Sequence, residues 1–418
     1  MSSICGIDFG TSNSTIGTVH QGCPTLIPLE NRQVTLPSAL FFNYDHNTIC
    51  YGREAVTDYI DGEFGRLLRS LKSILGTSLM QQGTHIKQQS VTYSEIIAEF
   101  IKELKKRAEL HAGERLTQLV AGRPVHFVDG NPAADAVAQN TLAAIYHQVG
   151  FKEVEFQFEP IAAAIDYEQQ IDHEELALIV DIGGGTADFT LIRLSPERRK
   201  KSDRYDDILA TSGVHIGGND FDRRFNLATA MPLLGLHSHL QGPARLQIPS
   251  SHFYDLATWH LIHHQYERHT IHHVEELRRH AEQPEKIDRL LKVLKQQDGH
   301  RLISKIEECK IKLSLEQHAE LDLSFIDTQL SLNCSRAEFN AATAQELAAI
   351  HNTIHQTLRA SQTTIQQIDS VFLTGGTTAL PAIQLTITAL FPHSKIITGD
   401  RFGSVGTGLT LEAMRRFR

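Results

Sequence analysis

The sequence predicts an α/β protein of two related lobes, on three observations. First, a strand, an aspartate, a small-residue turn and a second strand occur twice, in "ICGIDFGTSNSTIGTVH" and in "LALIVDIGGGTADFTLIRL". Asp8 and Asp181 hold the same place in the two copies, 181 − 8 = 173 positions apart, as expected of an internal duplication. Second, segments of helical period lie between the copies and after them. Third, no Pro- or Ser-rich linker interrupts the chain, so the lobes belong to one unit.

The elements follow in order. Residues 4–8 and 15–20 read as strands joined by a turn at 10–14. "SEIIAEFIKELKKRAELHAG" (94–113), with Ser94 as its cap, and "ADAVAQNTLAAIYHQVG" (134–150) read as helices, each closing on a glycine. "ERRKKSDR" (197–204) reads as a solvated loop, because like-charge runs are usually exposed. A long helical tract is expected over 255–317. "SVFLTGGTTALPAIQLTITALF" then gives a strand, a double-glycine turn and a helix.

Composition narrows the function. A chain of 418 residues with 41% hydrophobic content has material for more than one core. A net charge of −9 argues against a general grip on nucleic acid or an anionic membrane, which needs a surplus of Lys and Arg. No apolar run reaches the roughly 18 residues of a membrane span. "MSSICGIDFG" lacks a basic, apolar leader and reads as the first strand, so a cytoplasmic location is expected. Cys5, Cys23, Cys50, Cys309 and Cys334 are scattered, odd in number and without CxxC spacing, which predicts buried free thiols in a reducing compartment.

Three phosphate-binding designs compete for "VDIGGGTADF". A P-loop needs a Gly-Lys pair, and the chain has none. A dinucleotide fingerprint leads into a helix, whereas β-like "DFTLIRL" follows Gly183, Gly184 and Gly185. The remaining design is a β-hairpin whose turn offers backbone N–H groups to phosphate oxygens, with the acid at the strand end serving a metal. Two such hairpins would place Asp8 and Asp181 on either side of one Mg²⁺-phosphate group. The competing reading, a structural turn beside a buried acid, fits one glycine cluster better than two matching clusters.

"GIDFGTSNS", "FEPIAAAIDYE", "VDIGGGTADFTLI", "GGNDFD" and "LTGGTTALPAIQ" resemble, in order, the nucleotide-binding motifs of the DnaK-type heat shock protein 70 family. "AGRPVHF", "MPLLGL", "PEKIDRLLKVLKQ" and the ending "FGSVGTGL" resemble its YegD-like short branch, which lacks the peptide-binding domain. The resemblance implies an actin-like ATPase fold, with ribonuclease-H-like duplicated lobes around a nucleotide cleft. It implies lobe I over 1–171 with a subdomain inserted at about 36–114, lobe II over 172–395 with a helical insertion at about 231–314, and a segment 396–418 returning to lobe I.

It also implies residue roles. Asp8 and Asp181 would position Mg²⁺. Gly10, Thr11, Ser12 and Asn13 would wrap the phosphates from one side, and Gly183, Gly184, Gly185 and Thr186 from the other. Gly217 and Gly218 belong to the same phosphate cradle. Glu159 would order the attacking water or the metal shell, Asp188 would help hold K⁺, and Lys72 in "RSLKSILG" would point at the γ-phosphate. Adenosine would rest on Glu307, Lys310, Ile311 and Ser314, which share one helical face at i, i+3, i+4 and i+7. Gly375, Gly376 and Thr377 would approach the ribose and α-phosphate, and Asp400 would close the adenine side.

The chain also departs from the family. Ala379 stands where an arginine commonly stacks on adenine, opposite Ile311. Glu155 and Phe158 replace an arginine and an asparagine that couple the ATPase to its linker and co-chaperone. With Arg418 as the last residue, capture of peptide by the usual domain is not expected. The His-rich "WHLIHHQYERHTIHH" places His260 with His264, and His269 with His272 or His273, at spacings that could chelate Zn²⁺ or Ni²⁺ on a helix. The expectation is therefore a slow Mg·ATP hydrolase of chaperone type using ATP/ADP and Mg²⁺, whose lobe closure is read by a protein partner or client, without nucleic acid or membrane. Two rivals are a nucleotide-gated scaffold without turnover and a small-molecule kinase, which would need a substrate base in lobe I that the sequence does not identify.

Overall fold

Two hairpins found two sheets of the same topology. In the computed structural model, which describes residues 4–81, 83–87, 89–128, 130–201, 203–243, 246–259, 261–398 and 403–417, strand Ile4–Phe9 pairs antiparallel with Asn13–His20. The first sheet runs in the order Glu153–Phe158, Gln118–Arg123, Ile4–Phe9, Asn13–His20, Cys23–Leu26, with Leu36–Pro37 also paired to Asn13–His20. The second runs Ile208–Val214, Ala187–Leu194, Glu175–Ile182, Ser370–Thr374, Lys395–Ile397. In each, a three-strand antiparallel meander is followed by two strands added parallel beside the first. The registers repeat as well: Asp8 lies opposite Thr15 and Asp181 opposite Asp188, and both 181 − 8 and 188 − 15 give 173.

Each half exports a helix to the other half's sheet. Helix Glu159–Glu168 leaves the first sheet and buries Ile161, Ala163 and Ala164 against Ala177, Ile179, Ile192 and Phe372 of the second. The last helix, Ser404–Phe417, leaves the second sheet and packs Leu409 and Ala413 on Ile4 and Val120 of the first. The crossing is tight: a side chain at Gly408 would collide with the Ala162 carbonyl, and one at Gly6 with the backbone of Thr410. The buried Glu412 anchors the last helix, accepting from Gln157 at 3.2 Å and Arg416 at 2.7 Å.

Between these cores stand the insertions. In the first half, a three-stranded sheet in the order Thr48–Tyr51, Ala39–Asn43, Gly65–Arg69 and the hairpin Gly83–Ile86 with Gln89–Thr92 precede helix Tyr93–Ala112. That helix is capped by a Thr92 and Glu95 capping box, two residues before the expected Ser94, and ends on Gly113 in the left-handed region at φ 71°. The second predicted helix runs Pro132–Gln148 and is capped by Asn131. In the second half the expected continuous tract is broken into Ser251–Leu256, a 3₁₀ turn Ile262–Tyr266, Arg268–His280, Pro284–Gln296 and Gly299–Leu315. Pro284 at a helix start and Gln297 in the left-handed region mark two of the breaks.

Three further expectations are corrected. The loop "ERRKKSDR" is not simply solvated: Arg204 is 4% exposed, grips Glu168 at 2.9 and 2.8 Å, and shares Asp207 with Arg198. Cys5, Cys309 and Cys334 are buried, but Cys23 is exposed and Cys50 half-buried, all five being free thiols. The histidines named as possible metal ligands face other partners among the described residues. His260 lies outside the described residues, His264 and His269 face Glu267, His272 faces Glu276, and His273 pairs with the distant His252 at 3.0 Å.

Candidate functional site

The two hairpin turns face one another. A side chain at Gly184 would collide with Ser12 Oγ of the first turn, so the turns at residues 10–13 and 183–186 oppose each other across the gap between the sheets. Ser38, which sequence reading missed, braces the first turn, donating through Oγ to Gly10 O at 2.7 Å and through N–H to Ser12 O at 2.9 Å. The second turn is closed by Gly183 N–H donating to Thr186 O at 2.9 Å. Thr11, Ser12, Asn13 and Thr186 remain partly accessible.

The turn at 183–186 is the hub of the second half. Gly218 N–H donates to Gly183 O at 3.0 Å, Asn219 N–H to Gly184 O at 2.8 Å, and Thr377 Oγ1 to Gly183 O at 2.8 Å. Gly217 must be glycine, because a Cβ there would collide with the backbone of Gly184 and Gly185. Gly375, at φ +79°, sits where a Cβ would come within 2.7 Å of Asp181 Oδ1. Gly376 opens the 3₁₀ turn that carries Thr377. Lys310 reaches back to the same place, its Nζ 2.6 Å from Asp222 Oδ2 and 3.4 Å from Gly218 O.

Charge is concentrated behind the turns. Lys72, on a 3₁₀ turn entered through a left-handed Ser70, donates to Glu159 Oε1 at 2.5 Å. Glu159 is the first residue of the helix that crosses to the second sheet. Burial, with the negative charges of Glu159 and Asp181 nearby, pushes the Asp8 carboxyl up to about 7 against the pull of Lys72. Burial followed by Asp188 and Glu159 pushes Asp181 up to about 6. Burial works to lower the Lys72 pKa, but Glu159, Asp8 and Asp181 together outweigh it and raise it. Carboxylates that repel one another in a partly enclosed site favour a cation there.

The donor set fits a hard divalent ion. It consists of carboxylate and hydroxyl oxygens beside turn N–H groups, the chemistry that Mg²⁺ prefers. Among the described residues no three metal-ligating side chains converge, so two carboxylates at most would meet the ion, with water and phosphate oxygens completing its shell.

The predicted adenosine residues are less closely grouped. Lys310 joins the hub, and Glu307 lines a neighbouring cavity. Ile311 is 54% exposed, and Ser314 spends its hydroxyl on Ile311 O at 2.6 Å. Asp400 lies outside the described residues. Asp222, within "GGNDFD", is a site residue that sequence reasoning missed: it is the Lys310 partner, its pKa pushed up to about 6 by burial. The signal was its motif; the partner, 88 positions away, gave none.

Two sheets of one topology, with opposed glycine hairpins and an acid at each first strand's end, define an actin-like ATPase fold. The chain belongs to the Hsp70 family: the sequence model described as "Hsp70 protein" matches residues 4–229 and 267–412. It is also similar to the chaperone protein DnaK of Mycoplasma mycoides subsp. mycoides SC, at 26% identity over 399 residues. That match covers 93% of this chain and 55% of the relative, so the chain spans about half the length of that protein. No helix among the described residues is long and apolar enough to cross a membrane.

Proposed function

We propose that the chain binds Mg·ATP between its two glycine turns and hydrolyses it slowly, and that the nucleotide-dependent angle between the lobes is read by a protein partner. The observation that carries this reading is the Lys72–Glu159 pair, held at 2.5 Å within electrostatic reach of Asp8 and Asp181. Asp8 and Asp181 would hold Mg²⁺, which when bound offsets negative charge on the phosphate oxygens. The N–H groups of the turns bind and orient the phosphates, with Thr11 and Thr186 adding hydroxyls. Glu159 orients the attacking water, and the Lys72 ammonium stabilises charge growing on the transferred group. Asp188, across the strand pair from Asp181, is proposed to help hold K⁺.

Phosphoryl transfer to water depends on positioning and charge more than on covalent help. Single-turnover hydrolysis of ATP tests the reading directly. Lys72→Ala should lower the rate about a hundredfold, the roughly 3 kcal/mol expected of one lost donor to transition-state charge, while leaving calorimetric ATP binding largely intact. Binding without phosphate release in the wild type would favour the scaffold, a reading that the solvent-exposed Ile311 and the missing stacking cation at Ala379 support.

A further inference from the structure

Two buried thiols face one another in the second half. Cys309, 1% exposed, lies on helix Gly299–Leu315, and Cys334, 3% exposed, lies on strand Ser331–Ser335, opposite Ala319 of the partner strand His318–Asp322. Arg336 ties this hairpin to the helix, donating through Nε to Leu313 O and through Nη2 to Glu316 O, both at 2.8 Å, and through its backbone N–H to Gln317 O at 2.9 Å. Cys334 precedes Arg336 by roughly 6.6 Å of extended chain, and Cys309 precedes Leu313 by about 6 Å of helix, so one clamp brings the two side chains level. The Cys309 thiol donates a hydrogen bond to the Cys334 sulfur.

That contact gives the two sulfurs different chemistry. The hydrogen bond from Cys309, working against burial, holds the Cys334 thiol below the usual cysteine range. The same bond, together with burial, pushes the Cys309 thiol far up. Cys334 is therefore the nucleophile of the pair and Cys309 the resolving thiol. Among the described residues, strand Ser331–Ser335 pairs only with His318–Asp322, and so small a sheet opens locally, which admits a small oxidant. Cys309 stands next to Lys310, whose Nζ holds Asp222 Oδ2 at 2.6 Å beside the second turn.

We propose that Cys309 and Cys334 form a redox site: a peroxide joins them in a reversible disulfide, which shifts the helix carrying Lys310 and loosens the grip on nucleotide. The Cys334 thiolate attacks one oxygen of the peroxide, the O–O bond breaks, and the departing hydroxide leaves as water with the proton that Cys334 gave up. The Cys309 sulfur then attacks the Cys334 sulfenic acid; an S–S bond forms, the S–O bond breaks, and the Cys309 proton leaves in a second water. Two thiols are oxidised by two electrons and one peroxide is reduced to two waters. Closing the contact to a bond of about 2.05 Å draws the helix and the strand together, and Lys310 moves with its neighbour. The consequence for nucleotide rests on the proposed function; the disulfide does not.

The full chain, fully reduced and then treated with hydrogen peroxide, provides the test. Peptide mapping by mass spectrometry should find the Cys309 and Cys334 peptides joined and lighter by two hydrogens than their sum, and dithiothreitol should separate them. The Mg·ADP dissociation constant, read by calorimetry, should rise about tenfold on oxidation and return on reduction. Cys334→Ala should abolish both changes while keeping Cys5, Cys23 and Cys50, so that peroxide damage at those thiols is seen separately; Cys309→Ala carries the same test if that variant does not fold. No joined peptide overturns the proposal, as does a Cys334 sulfinic acid beside an unchanged Cys309, and as does a joined peptide with unchanged ADP affinity. Reduced protein that binds no ADP would instead sink the nucleotide reading. The shift of the helix would then be read as altered amide exchange over residues 299–315 in the joined form, and unaltered exchange would overturn it.

Discussion

Asp181→Asn should stabilise the nucleotide-free protein at neutral pH. The Asp181 carboxyl is displaced from its ordinary 3.8 to about 6 by burial and by Asp188 and Glu159. Its folded pKa lies above its unfolded one, so the folded state binds the extra proton and stability falls as pH rises from about 4 to about 6. Fully shielded from water, the displacement would cost about 3 kcal/mol. The residue is only half-buried, and solvent screening reduces this to about 1–2 kcal/mol. For a unit the size of one lobe that is on the order of 2–8 °C in melting temperature. Differential scanning calorimetry of wild type and variant at pH 7.5 and at pH 4, without Mg²⁺ or nucleotide, measures it. The variant should melt higher at pH 7.5, and the gap should close at pH 4, where both side chains are neutral. An equal or lower melting temperature at pH 7.5 would show that the carboxylates do not strain the apo site and would remove the electrostatic case for a cation there.

Mg²⁺ affinity in the presence of ADP should strengthen with pH through the window of about 6 to about 7, as Asp181 and then Asp8 ionise; calorimetry at pH 5.5 and 8 would show it, and a flat profile would contradict it. Ala379→Arg should tighten ATP binding severalfold, since an exposed cation stacked on an aromatic base contributes about 0.5–1 kcal/mol, and the ATP dissociation constant reads it. Arg204→Ala should cost about 3–5 kcal/mol in urea unfolding, because Glu168 and Asp207, each 1% exposed, would lose the guanidinium between them. Gly408→Ala should lower stability by about 1–3 kcal/mol, its new methyl colliding with the Ala162 carbonyl where the last helix crosses.

Whatever depended on neighbours in the chain was legible in the sequence. The alternating apolar runs around Asp8 and Asp181, with their glycine turns, announced both hairpins and the duplication, because strand period and turn chemistry are local. The chemistry of the site was less so. Lys72 and Glu159 lie 87 positions apart, and Lys72 alone looks like any surface lysine; only the family motifs singled it out. Arg204 sits in a charge run that reads as solvated, because its partner Glu168 comes 36 positions earlier on a helix ending under the loop. The helical tract at 255–317 misled in the opposite way: Pro284 marks one break in the sequence itself, while Gln297 in the left-handed region forces a turn that propensity does not show.

Duplication gives the halves one architecture, and the side chains divide the labour between them. At one register position the first hairpin carries Thr15 and the second Asp188, so only the second pairs two acids across its strands. Lys72 and Glu159 both come from the first half, whereas Gly217, Gly218, Lys310 and Thr377 gather around the second turn. On the proposed function both halves therefore share the chemistry: the first supplies Asp8, Lys72 and Glu159, and the second Asp181 and Thr186 with the residues gathered at its turn. Glu159 opens the helix whose body is buried on the second sheet, while its strand, Glu153–Phe158, belongs to the first. On the proposed function, a rotation of one sheet against the other would act on Glu159 through this helix and would alter its pairing with Lys72. On that reading the angle between the lobes and the readiness of the site for hydrolysis would vary together, and a partner that prefers one angle would set the rate without touching a phosphate.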